Sequence, residues 1–212
     1  MGIVGGIMNV LGLGRRRSDA AELLVGVRQA YSDAALDPSQ SLPFPVGRAF
    51  AEGVGYPKAI LDSLPAEAVS SFAGVGPLGE FAEIDPGATV LDLGCGAGLD
   101  SLLAARKCGA SGRVLGIDFS QAMLAKARVA SRLAGVSNIL HCSADAGRLP
   151  LTTASVDVVL VNGIFNLNPG RWGLFQEMAR VLKPGGVTFA AELVFTRPQK
   201  IKEARDIKEW LA

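Results

Sequence analysis

Acidic side chains and a glycine-rich turn are the features of this chain with the clearest chemistry. Asp92 lies near the end of the apolar run "TVLDL". Three glycines follow it at alternate positions: Gly94, Gly96 and Gly98. Glycines at a turn let the backbone approach a ligand closely, because no Cβ lies in the way. Asp118 and Asp145 follow two later apolar runs, where a carboxylate can accept strong, charge-assisted hydrogen bonds from a ligand.

The spacing of the glycines distinguishes a nicotinamide dinucleotide site from other kinds of nucleotide-binding site. A nicotinamide dinucleotide site prefers the spacing G-x-G-x-x-G. Here the third glycine comes one residue early, and Leu99 fills the later position. Asp118 lies twenty residues beyond Gly98 and suits either kind of site, since a dinucleotide enzyme also uses an acid there. A nicotinamide-dependent oxidoreductase is therefore the weaker hypothesis.

The segments around these residues alternate between apolar runs and helical patterns. Apolar runs predict five strands, at residues 88–94, 112–119, 137–145, 155–162 and 187–195. Helical patterns occupy residues 99–109, 120–135, 171–186 and 198–212. This alternation predicts an α/β fold with a doubly wound, mostly parallel sheet and helices on both faces. Ligands of such sheets bind beyond the carboxyl ends of the strands, which is where the acids and Asn162 fall.

Residues 1–85 have a different character from the rest of the chain. Helical segments at 18–30, 47–55, 56–64 and 65–74 alternate with loops rich in proline. We expect them to form a helical, loop-rich cap or lid over a binding domain at residues 86–212. The first seventeen residues are apolar and end in three arginines, the wrong order for a secretory signal. We expect this terminus to be frayed or to pack against a partner rather than to contact a membrane.

The composition excludes several classes of protein. Lys and Arg number 21 against 20 Asp and Glu, so no basic field predicts binding to nucleic acid. Three cysteines without paired spacing argue against disulfides, indicate no metal site and fit a cytoplasmic protein. No apolar run approaches the roughly 20 residues that span a bilayer.

The glycine turn, preceded by an acid, resembles the first motif of class I S-adenosylmethionine-dependent methyltransferases, and "LPLTTASVDVVLVN" and "RVLKPGG" follow in that family's order. The resemblance implies a Rossmann-like fold, with S-adenosylmethionine as the cofactor and S-adenosylhomocysteine as its product. It implies that Asp118 binds the ribose hydroxyls, that Phe119 and Met123 form an apolar wall for adenine, and that Asp145 meets the adenine amino group. The implied cofactor-binding residues are Asp92, Gly94, Cys95, Gly96, Gly98, Asp118, Phe119, Met123, Asp145, Ala146 and Asn162.

Over residues 31–212 the chain resembles arsenite methyltransferases most, through "LPAEAVSSFAGVG" and the "VLDLGCGAGLD" that follows it. In that family, thiolates hold trivalent arsenic, a soft centre that prefers sulfur ligands. This chain has Val75 and Gly163 at two of the family's cysteine positions, and the third position would lie beyond Ala212. Its own cysteines, Cys95, Cys108 and Cys142, do not match those positions. The resemblance therefore implies methyl transfer to a small-molecule acceptor other than arsenite.

No residue is predicted to be the catalytic base. Methyl transfer from a sulfonium depends mostly on alignment, and a soft nucleophile needs little help from a base. We expect His141, Glu192 and Asp157 to be structural, whereas Tyr31 or Tyr56 of the cap could shield the methionine end of the cofactor. The second hypothesis is a catalytically degenerate cofactor-binding protein that acts in association or regulation.

The sequence also bears on the edge of the sheet. Class I methyltransferases usually continue with an antiparallel pair of strands after the fifth strand, and we expect no such pair in this sequence, where the predicted last helix runs to Ala212. Proteins rarely leave a sheet edge uncovered. We therefore expect the fifth strand to be covered by the N-terminal segment, by the last helix or by a second copy of the chain in a homodimer.

Overall fold

The computed structural model describes residues 17–194. The N-terminal apolar segment, the end of the predicted fifth strand and the predicted last helix lie outside the described residues. The helices are α1 (Arg17–Leu36), α2 (Arg48–Gly53), α3 (Lys58–Asp62), α4 (Ala66–Val69), α5 (Leu78–Phe81), α6 (Leu99–Cys108), α7 (Gln121–Leu133) and α8 (Arg171–Val181). The strands are β1 (Thr89–Leu93), β2 (Arg113–Asp118), β3 (Ile139–Ser143), β4 (Val156–Asn162) and β5 (Leu182–Ala191). No helix within residues 17–194 is long and apolar enough to cross a membrane.

The five strands form one sheet in the order β3-β2-β1-β4-β5, and every neighbouring pair is parallel. The chain winds outward from β1 to β3 and then returns to place β4 on the other side of β1. The direction of winding therefore reverses between β1 and β4, which is where open α/β sheets bind their ligands. The predicted α/β class is confirmed.

Both faces of the sheet are covered by helices. Successive strand residues point to opposite sides, so neighbouring residues of a strand belong to different clusters. Val90 and Leu160 pack in one cluster with Cys108 of α6. Leu91 and Val159 pack in another cluster with residues of α8. All five residues of β1 are buried, as expected for the central strand of a sheet with helices on both faces.

The junction between α8 and β5 differs from the prediction. The pattern "RVLKPGG" predicted a helix to residue 186, but α8 ends at Val181 and β5 begins at Leu182. Val156 pairs with Leu182, and after a bulge Val158 pairs with Val187. Pro184 cannot continue a helix, and the bulge lets the extra residues leave the ladder without ending the strand.

The helices of the cap share a core with the sheet domain. Tyr56, Leu61 and Phe72 lie in one buried cluster with Leu99 and Leu102 of α6. α1 runs six residues further than predicted, to Leu36, and packs against α7, where the hydroxyls of Ser32 and Ser120 lie 2.9 Å apart. These helices therefore pack onto the sheet instead of around a core of their own, and their role as a cap stays a prediction.

Candidate functional site

A cleft opens at the carboxyl ends of β1, β2, β3 and β4, with α1 and residues 68–74 on its other side. It encloses about 1140 Å³ of empty space, including solvent at its mouth. Its lining contains ten of the eleven residues predicted to bind the cofactor; Gly98 is the exception. The structure thus brings the predicted residues together, and their contact with a cofactor stays a prediction.

The glycines after β1 serve different purposes. All three have positive φ values, +78° at Gly94, +52° at Gly96 and +89° at Gly98, a region that favours glycine. A Cβ at Gly98 would lie 3.2 Å from that of Ala127, so this glycine lets α6 and α7 pack closely. At Gly96 nothing lies within 4 Å of the Cβ position, so the backbone faces open space. The turn therefore offers a ligand its bare backbone at Gly96.

Asp118 is held in place by two backbone amides. The N–H of Gly96 donates to Oδ2 at 2.9 Å, and the N–H of Ser120 donates to Oδ1 at 2.8 Å. A carboxylate offers about four acceptor positions, so about two remain for a ligand. Burial raises the pKa of Asp118. The side chain is thus a fixed acceptor at the wall of the cleft.

The end of the cleft beyond β2 and β3 has an apolar wall and one exposed acid. Phe119 and Met123 line it, and the guanidinium of Arg28, in the cap, lies 5.4 Å from the centre of the Phe119 ring. Asp145 is exposed, and its Oδ1 accepts a hydrogen bond from the N–H of Gly147 at 2.8 Å. The sequence pattern did not indicate Arg28, because α1 reaches the cleft only through tertiary packing.

Two buried carboxylates lie below the glycine turn. Asp100 accepts hydrogen bonds from the hydroxyl of Tyr56, from the N–H of Gly79 at 2.8 Å and from the amide of Asn162 at 2.8 Å. Asp92 accepts one, from a serine hydroxyl at 2.5 Å. Burial raises the pKa of both acids, and the charge of Asp100 raises that of Asp92 further. Because three donors surround Asp100, a negative charge is stabilised better there than at Asp92.

Asn162 joins the end of β4 to the cap. Its Oδ1 accepts from the N–H of Val75 at 2.8 Å, and its Nδ2 donates to the carbonyl of Gly76 at 2.9 Å as well as to Asp100. A Cβ at Gly74 would lie 2.6 Å from the side-chain amide, so the close approach requires a glycine there. Asn162 lines the cleft but directs its hydrogen bonds into the protein. The structure gives it a positioning task, and direct contact with a cofactor stays a prediction.

Val75 and Gly163 are neighbours in space. A Cβ at Gly163 would lie 3.3 Å from Cγ1 of Val75. The two positions at which the arsenite methyltransferase resemblance places cysteines therefore meet beside the cleft, as a pair of metalloid ligands would require. No group of three or more potential metal ligands occurs within residues 17–194.

Of the two cap tyrosines, one lines the cleft. Tyr31 does so, its ring stacks on Phe44 with centroids 4.6 Å apart, and its hydroxyl makes no hydrogen bond within the described part of the chain. Burial, together with the charges of Asp118 and Glu192, raises the pKa of Tyr31. Tyr56 instead lies below the turn against Asp100.

The other candidate bases are engaged elsewhere. His141 bonds through Nε2 to a serine hydroxyl at 3.0 Å, and burial lowers its pKa to about 4. Glu192 accepts from the N–H of Phe165 at 2.7 Å and from Asn166. Asp157, at the amino end of β4, pairs with Lys183 at 2.8 Å. None of the three lines the cleft.

Comparison with known proteins places this site in a family context. A family model described as a methyltransferase domain matches residues 84–211, more than half of the chain. The arsenite methyltransferase of Halobacterium salinarum is 41% identical over 118 residues, which cover 56% of this chain and 30% of that protein. The demethylmenaquinone methyltransferase of Lactococcus lactis subsp. lactis is 36% identical over 100 residues, which cover 47% of this chain and 40% of that protein.

A solved structure extends the likeness to the fold. The crystal structure of an arsenic(III) S-adenosylmethionine methyltransferase from Chlamydomonas reinhardtii matches with a TM-score of 0.52 at 29% identity, covering 67% of this chain and 47% of that one. The chain thus spans less than half the length of each of these three relatives. The family match includes the glycine turn, Asp118, Asp145 and Asn162.

Proposed function

The chain belongs to the methyltransferase-domain family, and from this premise we propose that it transfers the methyl group of S-adenosylmethionine to a small-molecule acceptor. The matches confirm the predicted relationship to class I methyltransferases and to arsenite methyltransferases among them. One observation carries the proposal: a cleft at the point where the sheet reverses direction is lined by ten of the residues that the cofactor motifs predict.

The residues of the cleft fit the cofactor by their chemistry. The open backbone at Gly96 can receive an extended ligand, and Asp118 has acceptor capacity left for ribose hydroxyls. Phe119 and Met123 give an aromatic base an apolar wall. When bound, S-adenosylmethionine supplies a methyl carbon that its sulfonium already activates.

We propose that residues 1–85 act as the cap of this site and residues 86–212 as the cofactor domain. Leu24, Tyr31 and Phe72 of the cap line the cleft, so the cap can exclude water from it. Catalysis would then rest on alignment, which supplies up to about 7–11 kcal/mol in well-oriented intramolecular reactions.

Calorimetric titration tests the cofactor assignment. We expect S-adenosylmethionine and S-adenosylhomocysteine to bind the full chain and NAD not to bind. Binding of NAD without either sulfur nucleoside would contradict the proposal.

A second candidate is a cofactor-binding protein without turnover. The apolar pair Val75 and Gly163 favours it, because these residues supply no thiolate to hold a metalloid acceptor. A methyl-transfer screen over thiols, selenite, arsenite and phenols distinguishes the two candidates. Tight cofactor binding with no transfer to any acceptor supports the second.

A further inference from the structure

We propose that the acceptor is an apolar thiol that binds in the part of the cleft beyond β4. We call this part the β4 corner; it is lined by Phe72, Ala73, Gly163, Ile164 and Leu167. The inference rests on the proposed methyl transfer, and it adds the chemical class of the acceptor and the place where the acceptor binds.

The sheet order locates the acceptor. The cleft runs across the ends of β3, β2, β1 and β4 in that order. Asp118 and Phe119 follow β2, Asp145 follows β3, and the glycine turn follows β1 in the middle. A nucleoside bound at the first two strands leaves the β4 corner free. This corner adjoins the glycine turn, since a Cβ at Gly94 would lie 2.5 Å from Cγ2 of Ile164.

The β4 corner is apolar, and the polar atoms near it are hydrogen-bonded within the protein, except the side-chain nitrogen of Asn168, for which the described residues supply no partner. Asn162 is fully engaged with the cap and Asp100, as described above. Oδ1 of Asn168 accepts from the N–H of Gly170 at 2.8 Å, and the hydroxyl of Ser71 donates to the carbonyl of Ala34 at 3.0 Å. A charged acceptor would lose most of its hydration there and gain no charged partner among the described residues, which disfavours it.

Within residues 17–194, the groups that face the cleft offer no base. Asp100 is surrounded by donors, burial and the charge of Asp100 raise the pKa of Asp92, and burial raises the pKa of the Cys95 thiol. Glu192 is occupied by the backbone of the loop after β4. In the described part of the chain, the remaining titratable or charged groups are Tyr31 with its raised pKa, Asp118 and Asp145 at the nucleoside end, Arg28 beside Phe119 and Lys126 bonded to two serine hydroxyls.

With no base among the described residues, an oxygen or sulfur acceptor must ionise by itself. A thiol has a pKa of about 8.5, against about 10 for a phenol, so far more of a thiol is ionised near neutral pH. In the transfer, the thiol proton has already passed to solvent. The acceptor sulfur then forms a bond to the methyl carbon while the bond from that carbon to the sulfonium sulfur breaks. The electron pair of the broken bond stays on the departing sulfur.

Matched probes test the inference on the full chain. Thiophenol, phenol and aniline share one ring and differ in the nucleophilic atom, and 2-mercaptoethanesulfonate is a charged thiol. We expect transfer to thiophenol and none to the other three. We also expect the pH profile of kcat/KM to follow the pKa of the acceptor, so that phenylmethanethiol, a weaker acid, shifts the profile upward.

Binding provides a readout that is independent of turnover. Calorimetry of thiophenol with the chain saturated in S-adenosylhomocysteine should show binding. Leu167→Asp should weaken this binding about tenfold or more, because it places a carboxylate in the apolar corner. Leu140→Asp changes an exposed leucine outside the cleft and should leave the binding unchanged.

Each other outcome overturns the inference. For the transfer assay, these outcomes are transfer to phenol, to aniline or to the charged thiol, and transfer to none of the probes. The others are a pH profile of kcat/KM that stays fixed when the acceptor changes, and equal affinity of Leu167→Asp and the wild-type chain for thiophenol. In all of them the binding of S-adenosylhomocysteine shows whether the cofactor assignment still stands. Failure of that binding would instead contradict the proposed function itself.

Discussion

Replacement of Asn162 by alanine should loosen the contact between the cap and the sheet. The change removes two hydrogen bonds to the backbone of residues 75–76 and one to the charged Asp100. A hydrogen bond between neutral groups contributes about 1 kcal/mol, and one to a charged group about 1.5–3 kcal/mol. We therefore expect Asn162→Ala to lower the free energy of unfolding by about 3–5 kcal/mol.

This loss is large enough to measure by thermal unfolding. For a protein of this size, 1 kcal/mol shifts Tm by about 2–4 °C, so a decrease of at least about 6 °C is expected. Asn166→Ala is the matched control. This asparagine lies on the loop that follows β4 and is exposed, so its loss should cost less than about 1 kcal/mol.

Cofactor titration shows whether Asn162 acts by positioning or by contact. If its side chain only holds the cap, Asn162→Ala should keep its affinity for S-adenosylhomocysteine within about threefold while it loses stability. An unchanged Tm together with a large loss of cofactor affinity would refute the positioning role and support direct contact.

Three further predictions follow from the same contacts. Tyr56→Phe removes a hydrogen bond to the charged Asp100 and should lower the free energy of unfolding by about 1.5–3 kcal/mol in denaturant titrations. Burial lowers the pKa of His141 from its ordinary value of about 6.5 to about 4, so the unfolded chain binds more protons than the folded chain between these two pH values. The free energy of unfolding should therefore decrease as the pH is lowered from about 6.5 to about 4. His141→Phe should remove that part of the decrease in a pH series. The double variant Val75→Cys, Gly163→Cys should bind phenylarsine oxide and lose two titratable thiols on binding. A side chain at the φ of +79° of residue 163 should lower the free energy of unfolding by about 1–2 kcal/mol. The single Val75→Cys variant is the control and should not bind phenylarsine oxide tightly.

The strand ends of the site were predictable because their signals are local. The glycine turn and Asp118 are read from a strand, a turn and a helix within about thirty residues. The same local signals misplaced the junction of α8 and β5, since "KPGG" resembles the end of a helix but forms a bulge in the strand. Whether the extra residues extend the helix or bulge from the strand depends on pairing with β4, which the local pattern does not contain.

The cap's contribution could not be predicted in the same way. Asn162 contacts residues 86 and 87 positions away, and Asp100 contacts Tyr56, 44 positions away. Arg28 and Tyr31 reach the cleft only because α1 packs on α7. A single sequence contains no periodicity that indicates such pairings. The glycine at 74 was a possible signal, because only a residue without Cβ allows the contact with Asn162.

The most direct test of the account is the affinity of Asp118→Ala for S-adenosylhomocysteine, measured by calorimetry beside Asp85→Ala. Asp85 is an exposed acid outside the cleft and serves as the control. Hydrogen bonds to a charged group contribute about 1.5–3 kcal/mol, so we expect Asp118→Ala to weaken binding by about 10- to 150-fold and Asp85→Ala to leave it unchanged. Equal affinity in the wild-type chain and in Asp118→Ala would contradict the placement of the cofactor in this cleft.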